Sequence, residues 1–206
     1  MATTMKAKSG TAQANGMDAT PLTGQRGKPI QAAKTVVPMA IGVSQEARQA
    51  NSELLNIALA NSIMIAQMYK KAHWQVKGHT FYQLHLLFDA HYEEQEKLVD
   101  LIAERIQTLG GVAEGTPKEV LQNATVENPP SGVLAVPEMI SRLLDAHTQI
   151  AEAANEGIEQ SEESKDWGTN DLLASEILPV NQRQYWFVSQ HLIDAPLVHA
   201  DGAGEE

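Results

Sequence analysis

Cysteine is absent from all 206 residues, which excludes disulfides, thiolate metal sites, iron–sulfur clusters and cysteine nucleophiles. Aromatic residues make up only 5%, so a core has to be built from leucine- and alanine-rich helices rather than aromatic strands. No stretch approaches the ~18 uninterrupted apolar residues of a membrane span. The opening MATTMKAKSGTAQANG has no apolar run like the core of a signal peptide. A soluble, cytoplasmic protein with no membrane partner is expected. No internal repeat is visible.

What the chain does have is enough apolar content, 43%, to bury one domain-sized core. Its formal charge of −11 is unevenly spread. Residues 1–40 carry Lys6, Lys8, Arg26, Lys28 and Lys34 against Asp18 alone, a net of +4, so the rest carries −15. Such a body attracts cations and repels nucleic acid, whereas the basic tail can still contact phosphates.

Residues 1–42 lack periodicity and read as a flexible, weakly basic tail in which VVPMAIG is able to dock on the body. Residues 43–194 read as a bundle and 195–206 as a second flexible tail. Ser44 suits the N-cap of a first helix ending before Gly78. A second helix is expected from about Thr80 to Leu109, closed by Gly110 and Gly111. Pro117 starts a short helical turn in a long crossover, and a third helix runs from about Glu138 to Gln160. The fourth spans about Asn170 to Leu192, with Pro179 kinking it or splitting off its first turns. Four long helices and one central crossover make an all-α four-helix bundle.

The second helix carries two faces. With His85 set to zero and ~100° per residue, Leu84, Leu87, Phe88, Leu98, Val99, Ile102, Ile106 and Leu109 fall between about 200° and 320°. His91, near 240°, lies within that stripe and reads as a packed structural histidine. Asp89, Asp100 and Glu104 share the opposite sector with His85. His85 stands over Asp89, and Asp100 over Glu104, each pair able to share one small cation. The midpoints of the pairs are about 22 Å apart along the axis, far beyond metal–ligand bonds of ~2.0–2.2 Å. Both pairs can meet one ion only if an antiparallel second copy supplies the other half, which generates a two-fold dimer with two sites. From periodicity alone, a solvated acidic face is the default reading of these residues.

The wider stretch KKAHWQVKGHTFYQLHLLFDAHYEEQEKLVDLIAERIQTLGG, residues 70–111, adds more. Its elements HW-x-V-x-G, F-x-x-LH-x-x-FD and D-x-x-AERI-x-x-LGG resemble the signature of the Dps family, mini-ferritins named as DNA-binding proteins from starved cells. Similarity runs from ELLNIAL at 53–59 to QYWFVSQHL at 184–192, about two-thirds of the chain. The resemblance implies a ferritin-like bundle with a short extra helix in the crossover, assembled from two-fold dimers into a hollow dodecamer. It also implies a ferroxidase that oxidises Fe(II) with hydrogen peroxide or dioxygen, peroxide being the usual preference, and stores ferric mineral. The implied ligands are His73, His85 and Asp89 from one chain, with Asp100 and Glu104 from its partner. Imidazole and carboxylate together suit iron, with zinc as a competing ion. None of the seven histidines has a glutamate three residues before it, which argues against the intrachain di-iron centre of ordinary ferritins.

Trp74, Lys77 and Tyr92 are candidate supporting groups, although surface or interface packing explains them as well. Tyr185, Trp186 and Phe187 are expected to anchor the last helix in the core or at subunit contacts. The run Glu156, Glu159, Glu162, Glu163, Asp166, Asp171 suggests a cation pore by the same resemblance, with Asp171 the best single candidate, followed by Asp166 and Glu163; as a charge run it reads equally as a solvated face. His191, His199 and Asp201 could bind a stray metal, but a tail without function is the simpler reading. DNA is a further candidate partner through the N-terminal tail, placing the protein at the nucleoid. The alternative function is therefore a DNA-compacting protein whose oxidase activity is incidental.

Overall fold

The computed structural model describes residues 21–194. The chain divides into an N-terminal unit ending at Ile30 and a second unit from Gln31 onward. The described part of the first unit, residues 21–30, contains neither helix nor strand. In the second unit every regular element is helical among the described residues.

Helix α1 (Gln45–Gln75) starts where the Ser44 hydroxyl accepts the N–H of Ala47 at 3.1 Å, the expected cap. Helix α2 (Phe81–Thr108) follows after a turn in which Gly78 adopts φ +99°. The end of α2 is closed by two hydrogen bonds, Gly111 N–H to Ile106 O and Gly110 N–H to Gln107 O, with Gly110 at φ +79°. A Cβ on Gly110 would sit 2.8 Å from both Met39 Cγ and Val37 O. That approach exists because residues 31–42 belong to the body and not to a tail. Val37 N–H bonds to Gly110 O at 2.9 Å, Gln31 Nε2 to the same carbonyl, and buried Arg48 to both Val37 O and Leu109 O. The expected tail of residues 1–42 is thus shortened at its inner end.

The crossover carries α3 (Pro117–Asn123), begun by a capping box in which the Glu119 carboxylate accepts from the N–H and hydroxyl of Thr116. Two asparagines of α1 hold this crossover down. Asn56 accepts from Glu114 N–H at 2.8 Å, and Asn61 from Thr125 N–H at 2.8 Å. Helix α4 (Val136–Glu163) extends past the expected Glu138–Gln160 at both ends. The last helix starts earlier than expected, as α5 (Trp167–Asp171), and passes through a π-helical turn, Leu172–Ile177, into α6 (Leu178–Ser189). Pro179 has no N–H to offer Ser175 in an α-register. The chain accommodates it with one wide turn, closed by Leu178 N–H to Leu173 O, rather than with a break.

Helices α1 and α2 pack as one pair, and α4 packs on both α6 and α1. Leu55, Leu59, Ile65, Leu84, Phe88, Ile102, Ile106, Ile140, Leu143 and Leu173 are fully buried between them. The apolar stripe of α2 faces this core, and His91 lies in it. Burial of each large aliphatic side chain contributes about 1.5–3 kcal/mol. The result is a four-helix bundle with a short extra helix in its crossover. No helix among the described residues is long and apolar enough to cross a membrane.

Candidate metal centre

The short turn after α1 brings His73, in the last turn of that helix, against His85 at the start of α2. Their rings stack with centroids 3.8 Å apart and planes 17° from parallel. Each ring donates to the other residue's backbone: His73 Nδ1 to His85 O at 2.7 Å, and His85 Nδ1 to His73 O at 2.9 Å. A carbonyl can only accept, so both protons sit on Nδ1. In the neutral tautomer that this bonding selects, Nε2 is left as a lone pair, the arrangement by which a histidine is made ready for a metal. Phe81 stacks on His85 with ring centroids 5.1 Å apart.

Asp89 lies one turn beyond His85 on α2. Its carboxylate accepts from Lys70 Nζ at 2.6 Å and stands 3.9 Å from His73 Nδ1. The hydrogen bond from Lys70 is the main reason the Asp89 carboxyl titrates below its ordinary value, so it is ionised at neutral pH. Lys70 is itself 4.5 Å above the ring of Tyr92. Burial, followed by the charge of Glu96, raises the Tyr92 phenol above its usual pKa. Trp74, beside His73, is 68% exposed, and Lys77 is also exposed.

Asp100 and Glu104 are exposed farther along α2, so the chain brings His73, His85 and Asp89 into one neighbourhood and leaves Asp100 and Glu104 in another. Among the described residues, no three histidine, aspartate or glutamate side chains converge tightly enough to hold a metal. His73 at the end of α1 with His85 and Asp89 on α2 thus form one group of candidate ligands, and Asp100 and Glu104 farther along α2 form another.

The acidic run behaves differently from its expectation at one position. Asp166 is fully buried, so it is no pore candidate in this fold. It caps α5 and accepts from Arg105, from Asn51 Nδ2 at 2.9 Å and from the Thr169 hydroxyl at 2.7 Å. Gly168 makes room for this arrangement: a Cβ there would lie 2.8 Å from the Arg105 guanidinium carbon. Glu163 and Asp171 are exposed, with Asp171 accepting from the Ser175 hydroxyl at 2.8 Å. Tyr185, Trp186 and Phe187 are also exposed, which removes the core alternative for them and leaves a surface aromatic patch. His191 is exposed, whereas His199 and Asp201 lie outside the described residues.

A second polar cluster, at the centre of the bundle, was not anticipated. His147 Nδ1 donates to Asn181 Oδ1 at 2.9 Å, and the Tyr69 hydroxyl lies 2.5 Å from His147 Nε2. Gln95 donates to Asn181 and Gln184, and Gln184 donates to Glu94 at the rim. Burial drives His147 down to about 3 and His91 down to about 4, so both are neutral. This part of the bundle interior is filled by neutral amides, imidazoles and a phenol. The only signal in the sequence was Gln95 falling in the apolar sector one turn after His91.

A family profile described as a ferritin-like domain matches residues 52–198. The chain is 30% identical over 146 residues to the DNA protection during starvation protein of Listeria innocua, covering 70% of this chain and 93% of that one. It is 33% identical over 158 residues to a low temperature-induced protein of Nostoc, covering 76% and 88%. Among solved structures, DpsC from Streptomyces coelicolor is similar at a TM-score of 0.82 and 47% identity, over 84% of this chain and 100% of that one.

Proposed function

The chain belongs to the Dps family of ferritin-like proteins, and from that premise we propose that it is a cage that oxidises and stores iron. The supporting observation is the reciprocal bonding of His73 and His85, in which each Nδ1 is taken up by the other residue's carbonyl and Nε2 is left as the ring's remaining ligand atom.

In this reading Fe(II) is the substrate. His73, His85 and Asp89 of one chain bind it together with Asp100 and Glu104 of the partner subunit, across a two-fold axis that sets two α2 helices antiparallel. The mixed nitrogen and oxygen donors suit ferrous iron, and the carboxylates offset the charge gained on oxidation. Zinc fits the same donors and competes. Two Fe(II) each give up one electron, and hydrogen peroxide takes both as its O–O bond breaks. Two protons complete two waters, so no radical leaves the site. Ferric product then collects inside a dodecamer built from these dimers, towards which an acidic body draws further cations.

The test is stopped-flow absorbance after mixing the full chain with Fe(II) and peroxide. His73→Ala combined with His85→Ala is expected to slow the ferric rise at least about tenfold. An unchanged rate in that variant would remove both imidazoles from the reaction. A DNA role is a second reading, favoured by the basic N-terminal stretch and by relatives named for DNA protection. Twelve copies of a weakly basic tail would bind by multivalency.

A further inference from the structure

The proposed oxidation leaves one buried pair of reactive side chains unused. Tyr69 and His147 are 0% and 1% exposed, and their hydrogen bond is short, at 2.5 Å. We infer that Tyr69 is a redox-active tyrosine that delivers an electron to the metal centre while handing its phenol proton to His147; this inference rests on the iron-oxidation reading above.

Three observations carry it. First, the proton has somewhere to go. Asn181 Nδ2 donates to Ile177 O at 2.7 Å, so the amide oxygen faces His147 and fixes its proton on Nδ1. His147 Nε2 is then the acceptor for the tyrosine hydroxyl. A phenol becomes a strong acid on losing an electron, so its proton crosses one existing hydrogen bond even to an imidazole that burial has made a weak base. Second, the pair is close to the candidate centre. Tyr69 precedes His73 by one turn of α1, ~6 Å along the axis, and its ring lies 5.9 Å from that of Phe88, the neighbour of Asp89. Third, the other tyrosines are less suited. Tyr82 and Tyr185 are exposed, and the Lys70 ammonium over Tyr92 opposes removal of an electron. Only Tyr69 is paired with an imidazole among the described residues. Mere space-filling would be served by an apolar pair that desolvates no polar ring.

The step balances when peroxide meets a centre holding a single Fe(II). Cleaving the O–O bond to water takes two electrons and two protons. Fe(II) supplies one electron and becomes Fe(III). Tyr69 supplies the other and becomes a neutral phenoxyl radical, its own proton resting on His147 Nε2. Solvent provides the two protons. The hydroxyl radical that a one-electron cleavage would release is avoided.

The experiment has two arms on the full-length protein. In the first, substoichiometric Fe(II) and peroxide are mixed and freeze-quenched for electron paramagnetic resonance. A tyrosyl radical is expected; Tyr69→Phe should lose it and instead release hydroxyl radical to a spin trap, as one-electron cleavage requires. In the second, the iron-free protein is oxidised with a flash-generated ruthenium(III) polypyridyl complex, and the same radical should form. Pulsed measurements on wild-type protein grown with 15N-histidine should show coupling to an imidazole nitrogen, which needs no variant to fold. A radical that survives Tyr69→Phe, resides on Trp74 or lacks the histidine coupling overturns the inference. So does a normal ferric rise at low iron with no radical. A Tyr69 radical in the flash arm without any ferric rise instead overturns the iron-oxidation reading.

Discussion

Acidification from pH 8 to pH 5 should weaken the fold by about 2 kcal/mol through His147 alone. An unfolded histidine titrates near 6.5, whereas burial holds folded His147 at about 3. Between those values the unfolded chain binds the extra proton, so stability is full above 6.5 and falls as the pH drops towards 3. At pH 5 the loss is set by the distance from the unfolded value, about 1.5 units at 1.36 kcal/mol each, and hardly depends on how far below 5 the folded value lies. Asp89 does not confuse the window. Its pKa is lowered in the fold, so its contribution is lost only at lower pH, as the carboxylate protonates. The assay is urea unfolding followed by circular dichroism at a fixed chain concentration, at pH 8, 6 and 5. His147→Gln keeps a donor and an acceptor between Tyr69 and Asn181 but cannot titrate. Its stability should fall by about 2 kcal/mol less than that of the wild type over the same range. Parallel pH profiles for the two proteins would refute the argument, since they would mean that His147 protonates in the folded state as readily as in the unfolded chain.

Three further outcomes are expected. Arg105→Met strands the Asp166 carboxylate in the core and should lower the unfolding free energy by about 3–5 kcal/mol, most of it regained when Asp166→Asn is added. A His73→Ala, His85→Ala chain refolded together with an Asp100→Asn, Glu104→Gln chain should recover one intact site per mixed dimer, giving oxidation that neither parent shows; no recovery would mean that the ligands are not shared across chains. In gel shifts at several salt concentrations, any DNA binding should weaken steeply with salt and be lost on deleting residues 1–30; a shift that survives the deletion would place the contact on the body.

The long helices were legible because their apolar positions recur at helical spacing and their ends carry Ser44, Gly78, Gly110 and Gly111. The α2 stripe and buried His91 followed from the same periodicity. Other features depended on partners distant in the chain. The acidic run gave no sign that Asp166 would turn inward, because the reason lies in Arg105, Asn51 and the space left by Gly168. The docking of residues 31–42 depends on Arg48, a cation whose task is to bind carbonyls rather than a carboxylate. The Tyr69, His147 and Asn181 cluster draws on three helices, and no single periodic pattern contains it. His73 and His85 were singled out by motif, whereas their exchange of Nδ1 bonds required the turn between α1 and α2 to be built.

The separation of His73, His85 and Asp89 from Asp100 and Glu104 along the α1–α2 pair has a consequence for the life of a newly made chain. Under the proposed reading, a lone protomer cannot close a site around iron, because Asp100 and Glu104 of its own chain lie away from His73, His85 and Asp89. Redox competence would then be a property of concentration: diluting the protein below its dimer dissociation constant should silence oxidation. Nascent chains would pass through synthesis chemically inert and acquire reactivity only in the company of a second copy, when a compartment for the product is already being assembled.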